Sequence, residues 1–375
     1  MKGHISKRGS KWSIMVDIGK DPKTGQRRQK RFSGYNTKKE AQTDLNKILY
    51  ELEQGTFIIP STDTLGEYLN YWIEQRKHNL SPTTVYGYKS MMQNHIIPEL
   101  GNIKLAELKP LHLQKYYNLK LQTLSNQTVL HHHRMLRKAL QDAKEWQLIK
   151  INPADHVEVP KAKKYKAEVL NIDEIKILLK ALEGDRLEVP ISIILFLGLR
   201  RGELLALKWS DIDYKNKTIS IQRNLVRGGD DGTELILKEP KTEESTRAIP
   251  ISDNIIALLK KQELKQKGNK LKIGKYYKDS NFIFTTEMGD LINPATFSRT
   301  FGDFIKKNNL KHVRLHDLRH TNATLMLKSN IPAKIASERL GHSNISTTLD
   351  LYSHVLDDME RETSDKLDNM IFNSK

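Results

Sequence analysis

Between Asn152 and Lys166 the chain loses its apolar periodicity. That stretch holds Pro153, Pro160 and the run Lys161-Ala162-Lys163-Lys164-Tyr165-Lys166. Such residues make a connector, since they supply turn chemistry and charge but no face to bury. A core cannot run through it, so the 375 residues must divide into two or three domains of ordinary size. The expected partition is 1–57, 61–151, a linker at 152–166, and 167–375.

Each part has its own pattern. In the first, Trp12, Ile14, Val16 and Ile18 alternate with polar neighbours, the signature of a half-buried strand. Asp21-Pro22-Lys23-Thr24-Gly25 is a turn, and Arg27 to Phe32 returns as a second, very basic strand. A third strand is weakly indicated near Gly3 to Lys7. Thr37 and Glu40 have capping-box spacing; Leu45, Ile48, Leu49 and Leu52 then share a helix face, and Gly55 is the stop.

The second part reads as helices over Thr64–Lys77, from Pro82 to about Ile96, over Pro110–Leu121, and from a Ser125 cap to Trp146. They would form a compact bundle. The triplet His131-His132-His133 points around a helix rather than at one ion, so it is expected on the surface or facing DNA.

The third part opens with an Asn171-capped helix carrying Ile175, Leu178, Leu179 and Leu182. A buried helix from Pro190 to Leu197, another beginning at Glu203, and a strand at Thr218–Arg223 follow. A hairpin is expected from Glu234–Lys238 and Arg247–Ile251. Further helices end in Asp357–Phe372.

Composition narrows the partners. The formal charge is +17, which favours a polyanion, nucleic acid first. Residues 1–50 alone carry 13 Lys and Arg against 4 Asp and Glu. Lys11, Arg27, Arg28, Lys30 and Arg31 on exposed strands suit a DNA groove, which admits a two-stranded ribbon. In the linker, Lys161, Lys163 and Lys164 suit a phosphate backbone. With no cysteine, disulfides, thiolate metal sites and thiol nucleophiles are excluded. The apolar run Val189–Leu199 is about half a membrane span. Met1-Lys2-Gly3-His4 does not open a signal peptide, so a cytoplasmic protein is expected.

Against that background stands an ordered set of chemical residues: Arg200-Arg201-Gly202-Glu203, then His316-Asp317-Leu318-Arg319, then Leu340-Gly341-His342, then Tyr352. Attack on a DNA phosphate needs a nucleophile, positive charge on the non-bridging oxygens, a base, and an acid for the departing 5′ oxygen. Arginine's planar fork binds two phosphate oxygens at once. His316 and Arg319, spaced i, i+3, share a helix face; His312 and His320 are nearby alternatives. Tyr352 is the candidate nucleophile, its phenol protonated near neutrality unless neighbouring cations or a base intervene. Lys241, expected in a hairpin turn, is the candidate acid, with Lys238 as its rival. Glu203 is read as orienting an arginine or a histidine. Residue chemistry alone leaves Arg200 and Arg201 open.

In sequence the set runs Gly198-Leu199-Arg200, Lys241, His316-x-x-Arg319, Leu340-Gly341-His342 and Leu349-Asp350-Leu351-Tyr352. It resembles the tyrosine recombinase family, also called phage-type or lambda-type integrases, whose order is Arg, Lys, His-x-x-Arg, His or Trp, Tyr. The resemblance favours Arg200 over Arg201. It implies a multidomain fold: a small α+β N-terminal arm-site DNA-binding domain, a helical core-site-binding bundle, and a mainly α catalytic domain with a small antiparallel sheet. It also implies integration and excision of a mobile element through a 3′-phosphotyrosyl bond. Neither metal nor nucleotide cofactor is then required. The implied partners are double-stranded DNA at core and arm sites and three further copies of the chain in a tetramer, with an accessory DNA-bending or directionality factor as an optional addition. The C-terminal segment would pack on its own domain or on a neighbour. Two other readings are a non-catalytic DNA-binding regulator on the same fold and a type IB topoisomerase-like enzyme. The completeness of the chemical set disfavours the first, and the separate basic N-terminal domain disfavours the second.

Overall fold

The structure is a computed structural model that describes residues 3–20, 25–58, 61–162, 167–229, 231–238, 246–341, 368 and 370–372. It separates into two compact units, one built from residues 1–76 and 88–163, the other from 77–87 and 164–375.

The first unit begins with an antiparallel sheet, β1 (Gly3–Arg8), β2 (Lys11–Lys20) and β3 (Arg27–Tyr35), ordered β1-β2-β3. The weakly indicated strand is therefore real, and longer by one residue. Helix α1 (Lys38–Glu53) starts at the expected cap: the Thr37 hydroxyl accepts from Glu40 N at 3.1 Å, and the Glu40 carboxylate accepts from Thr37 N at 3.2 Å. Ile14, Val16, Ala41, Leu45 and Ile48 form the core between sheet and helix.

The remainder of this unit is helical: α2 (Leu65–Arg76), α3 (Pro82–Met91), α4 (Ile97–Leu100), α5 (Pro110–Lys120) and α6 (Asn126–Glu145). The helix begun at Pro82 runs on to Leu100, beyond the expected end at Ile96. A π-helical turn over Met92–Ile96 joins α3 to α4 just before Pro98. Proline has no amide to give the preceding turn, and a widened turn accommodates its ring. Asp142, fully buried, knits the bundle together. It accepts from Trp72 Nε1 at 2.7 Å, from Arg76 Nε and Nη2 at 2.8 and 2.6 Å, and from Lys138 Nζ at 3.0 Å.

Two expectations are corrected here. Of the histidine triplet, His131 is exposed, but His132 is fully buried and His133 6% exposed. Their Nδ1 atoms lie 2.9 and 3.2 Å from the Tyr116 and Tyr117 hydroxyls. Helical rotation turns two consecutive residues into the bundle, and the tyrosines make that burial tolerable. Nor does the connector lack buried residues at its start. Pro153–His156 form a 3-10 turn with Pro153 and Ala154 buried, and Asn152 donates to the Arg137 carbonyl at 3.0 Å. The Lys161 carbonyl is held by Asn126 Nδ2 at 2.9 Å. Lys163 and Lys164 lie outside the described residues.

The second unit contains α7 (Ile172–Leu182), α8 (Glu188–Leu197), α9 (Arg201–Leu205), β4 (Ile212–Asp213), β5 (Thr218–Ile221), β6 (Asn224–Gly228), β7 (Glu234–Lys238), β8 (Arg247–Pro250), α10 (Asp253–Ile273), α11 (Pro294–Lys307), α12 (Leu315–Lys328) and α13 (Ala333–Leu340). The Asn171 cap is present, its side chain accepting from Glu174 N at 2.8 Å. Helix α8 is apolar nearly all round and buries Ile191, Ile193, Ile194, Leu195 and Leu197, as a central helix must.

β5, β7 and β8 fall where strands were expected, β4 and β6 are additional, and the pairing differs. β7 pairs with β6, whereas β8 pairs with β5, giving the sheets β4-β5-β8 and β6-β7. The hairpin expected between β7 and β8 is therefore not formed. In β8 the in-phase residues Arg247 and Ile249 stand opposite the buried Ile221 and Ile219, whereas no residue of β7 is fully buried. Most of Asp357–Phe372 lies outside the described residues.

Candidate active site

Three loops and helix ends of the second unit meet at one point. Helix α8 stops at Gly198, whose φ of 66° is the left-handed conformation that terminates helices. A Cβ there would lie 2.5 Å from Leu340 Cδ2 and 2.7 Å from Asn322 Oδ1, so glycine is required twice over. Asn322 of α12 donates to the Leu195 carbonyl at 2.7 Å, and Arg319 Nη1 to the Gly198 carbonyl at 2.7 Å. Both thus cap the end of α8 from the helix that carries His316.

Helix α13 ends in the same place. Its last carbonyls have no partner within the helix, and its C-terminus carries partial negative charge. Three consecutive carbonyls each accept from a different arginine. Arg247 Nε reaches Arg339 O at 2.8 Å, Arg319 Nη2 reaches Leu340 O at 2.7 Å, and Arg200 Nη2 reaches Gly341 O at 2.7 Å. Gly341 is left-handed, with φ 68°, and a Cβ on it would lie 2.7 Å from Arg247 Nη1.

Glu203 sits beneath this arrangement, its side chain 8% exposed. It accepts from Arg200 N at 2.9 Å, Arg200 Nη1 at 2.7 Å and Arg247 Nη2 at 2.9 Å, and lies 4.0 Å from Arg319 Nη1. Burial pushes its carboxyl upward, but the hydrogen bond and charge of Arg247 and the charge of Arg200 outweigh this and hold it below its usual range. Three guanidinium groups around one carboxylate leave the pocket positive, as an anion site requires.

The geometry separates the sequence alternatives. Arg200 faces Glu203 and Gly341 and keeps 39% of its side chain exposed. Arg201 instead turns away to donate to Ser298 Oγ at 2.6 Å. His316 is exposed, whereas His320 is 8% exposed and meets it edge-on with ring centroids 4.8 Å apart. Crowding by protein atoms, then the nearby His320, Arg319 and Arg200, lower the His316 pKa against the opposing pull of Asp317. Its imidazole is therefore neutral at pH 7. Among the described residues Glu203 orients arginines. Lys241, His342 and Tyr352 lie outside the described residues.

Arg247 and Asn322 were not among the sequence candidates. A signal for Arg247 was available: it alternates in phase with Ile249 and Ile251, so a cation stands at an inward strand position.

On the N-terminal sheet the expected basic residues do not share a face. Register sets Arg31 opposite Met15 and Lys11 opposite Arg8, but Lys30 opposite the buried Val16. Arg27 is paired with Asp17. Arg28, exposed, takes the same parity as Lys30.

Residues 168–359 match the phage integrase family, 64–121 the N-terminal SAM-like domain of phage integrases, and 4–52 an arm DNA-binding domain. A tyrosine recombinase XerC-like protein of Caldanaerobacter subterraneus subsp. tengcongensis is 30% identical over 96% of both chains. The ICEBs1 integrase of Bacillus subtilis is 25% identical over 96% of this chain and 97% of its own. Among solved structures, the Tn1549 transposon integrase in complex with transposon right end DNA superposes with a TM-score of 0.67. It is 25% identical and covers 80% of this chain and 99% of its own. The chain belongs to the phage integrase family and is a tyrosine recombinase, an enzyme of site-specific DNA breakage and rejoining. Among the described residues no helix is long and apolar enough to cross a membrane.

Proposed function

We propose that this recombinase integrates and excises a mobile element in the bacterial cytoplasm, with Tyr352 as nucleophile. The Tyr352 oxygen attacks a backbone phosphorus, and the 5′ oxygen leaves as a hydroxyl protonated by Lys241. His316 takes the phenol proton. Arg200 and Arg319 supply positive charge to the phosphate, and His342 completes the set. Energy stored in the 3′-phosphotyrosyl bond is recovered when a 5′-hydroxyl of the partner duplex attacks it, so no nucleotide or metal is consumed. Exchange between two duplexes takes four such cleavages, which four protomers provide with one tyrosine each. Residues 1–57 are assigned to arm sites, 61–151 to the core site, with 152–166 as connector and 167–375 as catalytic domain.

The observation that carries this reading is the capture of the 339–341 carbonyls by Arg247, Arg319 and Arg200. It brings residues 339–341, the backbone immediately before His342 in sequence, against the positive pocket. The test uses a labelled duplex carrying the element's attachment site, nicked just 3′ of the scissile phosphate so that the covalent complex accumulates. Wild-type protein should form a protein–DNA adduct, and Tyr352→Phe should bind the duplex with no adduct. An adduct surviving in that variant refutes the nucleophile assignment.

A further inference from the structure

Arg247 touches both halves of the pocket. Nη2 binds Glu203 at 2.9 Å with a weaker Nη1 contact at 3.4 Å, and Nε binds the Arg339 carbonyl at 2.8 Å. Only 9% of its side chain is exposed. Glu203 in turn holds the Arg200 guanidinium at 2.7 Å. The same guanidinium therefore fixes the carboxylate that aims Arg200 and the helix end that precedes His342.

We infer that Arg247 is a positioning residue of the recombination site, coupling the docked end of α13 to the orientation of Arg200 through Glu203. Among the described residues its hydrogen bonds go to the Glu203 carboxylate and the Arg339 carbonyl. Its planar fork satisfies a carboxylate with one edge and a carbonyl with Nε, a division of labour that lysine's point charge cannot reproduce. Gly341 belongs to the same device, because a side chain there would displace Arg247 Nη1. Displacing a catalytic group by about 1 Å costs on the order of 100-fold in rate.

This inference rests on the proposed function and is tested on the same nicked duplex. Arg247→Gln and Arg247→Lys are compared with wild type at saturating DNA, with affinity measured separately. The expected result is a roughly 10- to 100-fold slower adduct formation in Arg247→Gln with DNA affinity within about threefold. Arg247→Lys, which keeps the charge facing Glu203, should recover part of the rate. Thermal unfolding of both variants is recorded alongside. Adduct formation at the wild-type rate in a folded Arg247→Gln protein overturns the inference. So does loss of folding in both variants, which would make Arg247 a stabilising residue alone. If wild type forms no adduct while Tyr352→Phe behaves identically, the proposed function fails rather than the coupling.

Discussion

Glu203→Gln is nearly isosteric yet should be severe. The Oε1 atom accepts from Arg200 Nη1 and Arg247 Nη1, and Oε2 from Arg200 N and Arg247 Nη2. Glutamine replaces one of these oxygens with an NH2 group. Whichever way the amide is turned, that group faces two donors and must push them away. The charge that balances three guanidinium groups is lost as well. Breaking a buried ion pair on one side typically costs about 3–5 kcal/mol of stability. If Arg200 swings out of line, the loss of one preorganised stabiliser adds roughly 3–4 kcal/mol to the barrier, or on the order of 10²–10³ in rate. Thermal unfolding and single-turnover adduct formation on the nicked duplex measure the two effects separately. A Glu203→Gln protein that melts and cleaves like wild type would refute the claim that this carboxylate organises the pocket.

Exchanging the tandem arginines gives a sharp contrast. Arg200→Gln should reduce adduct formation by on the order of 10²–10³, whereas Arg201→Gln, which loses a bond to Ser298, should stay within about threefold in the same assay. Acid should loosen the helical part of the first unit. Burial, then the charges of His95, Lys120 and His131, lower the His132 pKa from 6.5 to about 4. The stabilisation from keeping it neutral is whole above pH 6.5 and is lost as pH falls towards 4, roughly 3 kcal/mol in all. His132→Gln should flatten that part of a pH-dependent denaturation series, and an unchanged slope would disprove the assignment. Removing residues 1–57 should abolish footprints at distal arm sites and spare core cleavage. Binding at both sites should weaken steeply with added salt as phosphate contacts release counterions.

Local chemistry was legible in the sequence because it depends on neighbours in the chain. The Thr37, Ser125 and Asn171 caps and the alternation of β2 all follow from side chains within a few residues of one another. The ordered residues that suggested phosphate chemistry were read through their resemblance to the tyrosine recombinase family, which the match over residues 168–359 shows. Pairing and burial were not legible, because both depend on what arrives from far along the chain. β8 chose β5 over the adjacent β7, His132 and His133 found tyrosines on another helix, and Arg201 turned to Ser298 while Arg200 turned inward. The arginine contacts to residues 339–341 span separations of 92, 21 and 141 residues. Unsatisfied carbonyls at a helix end demand donors wherever they can be found, and only the packed chain decides which donors are near.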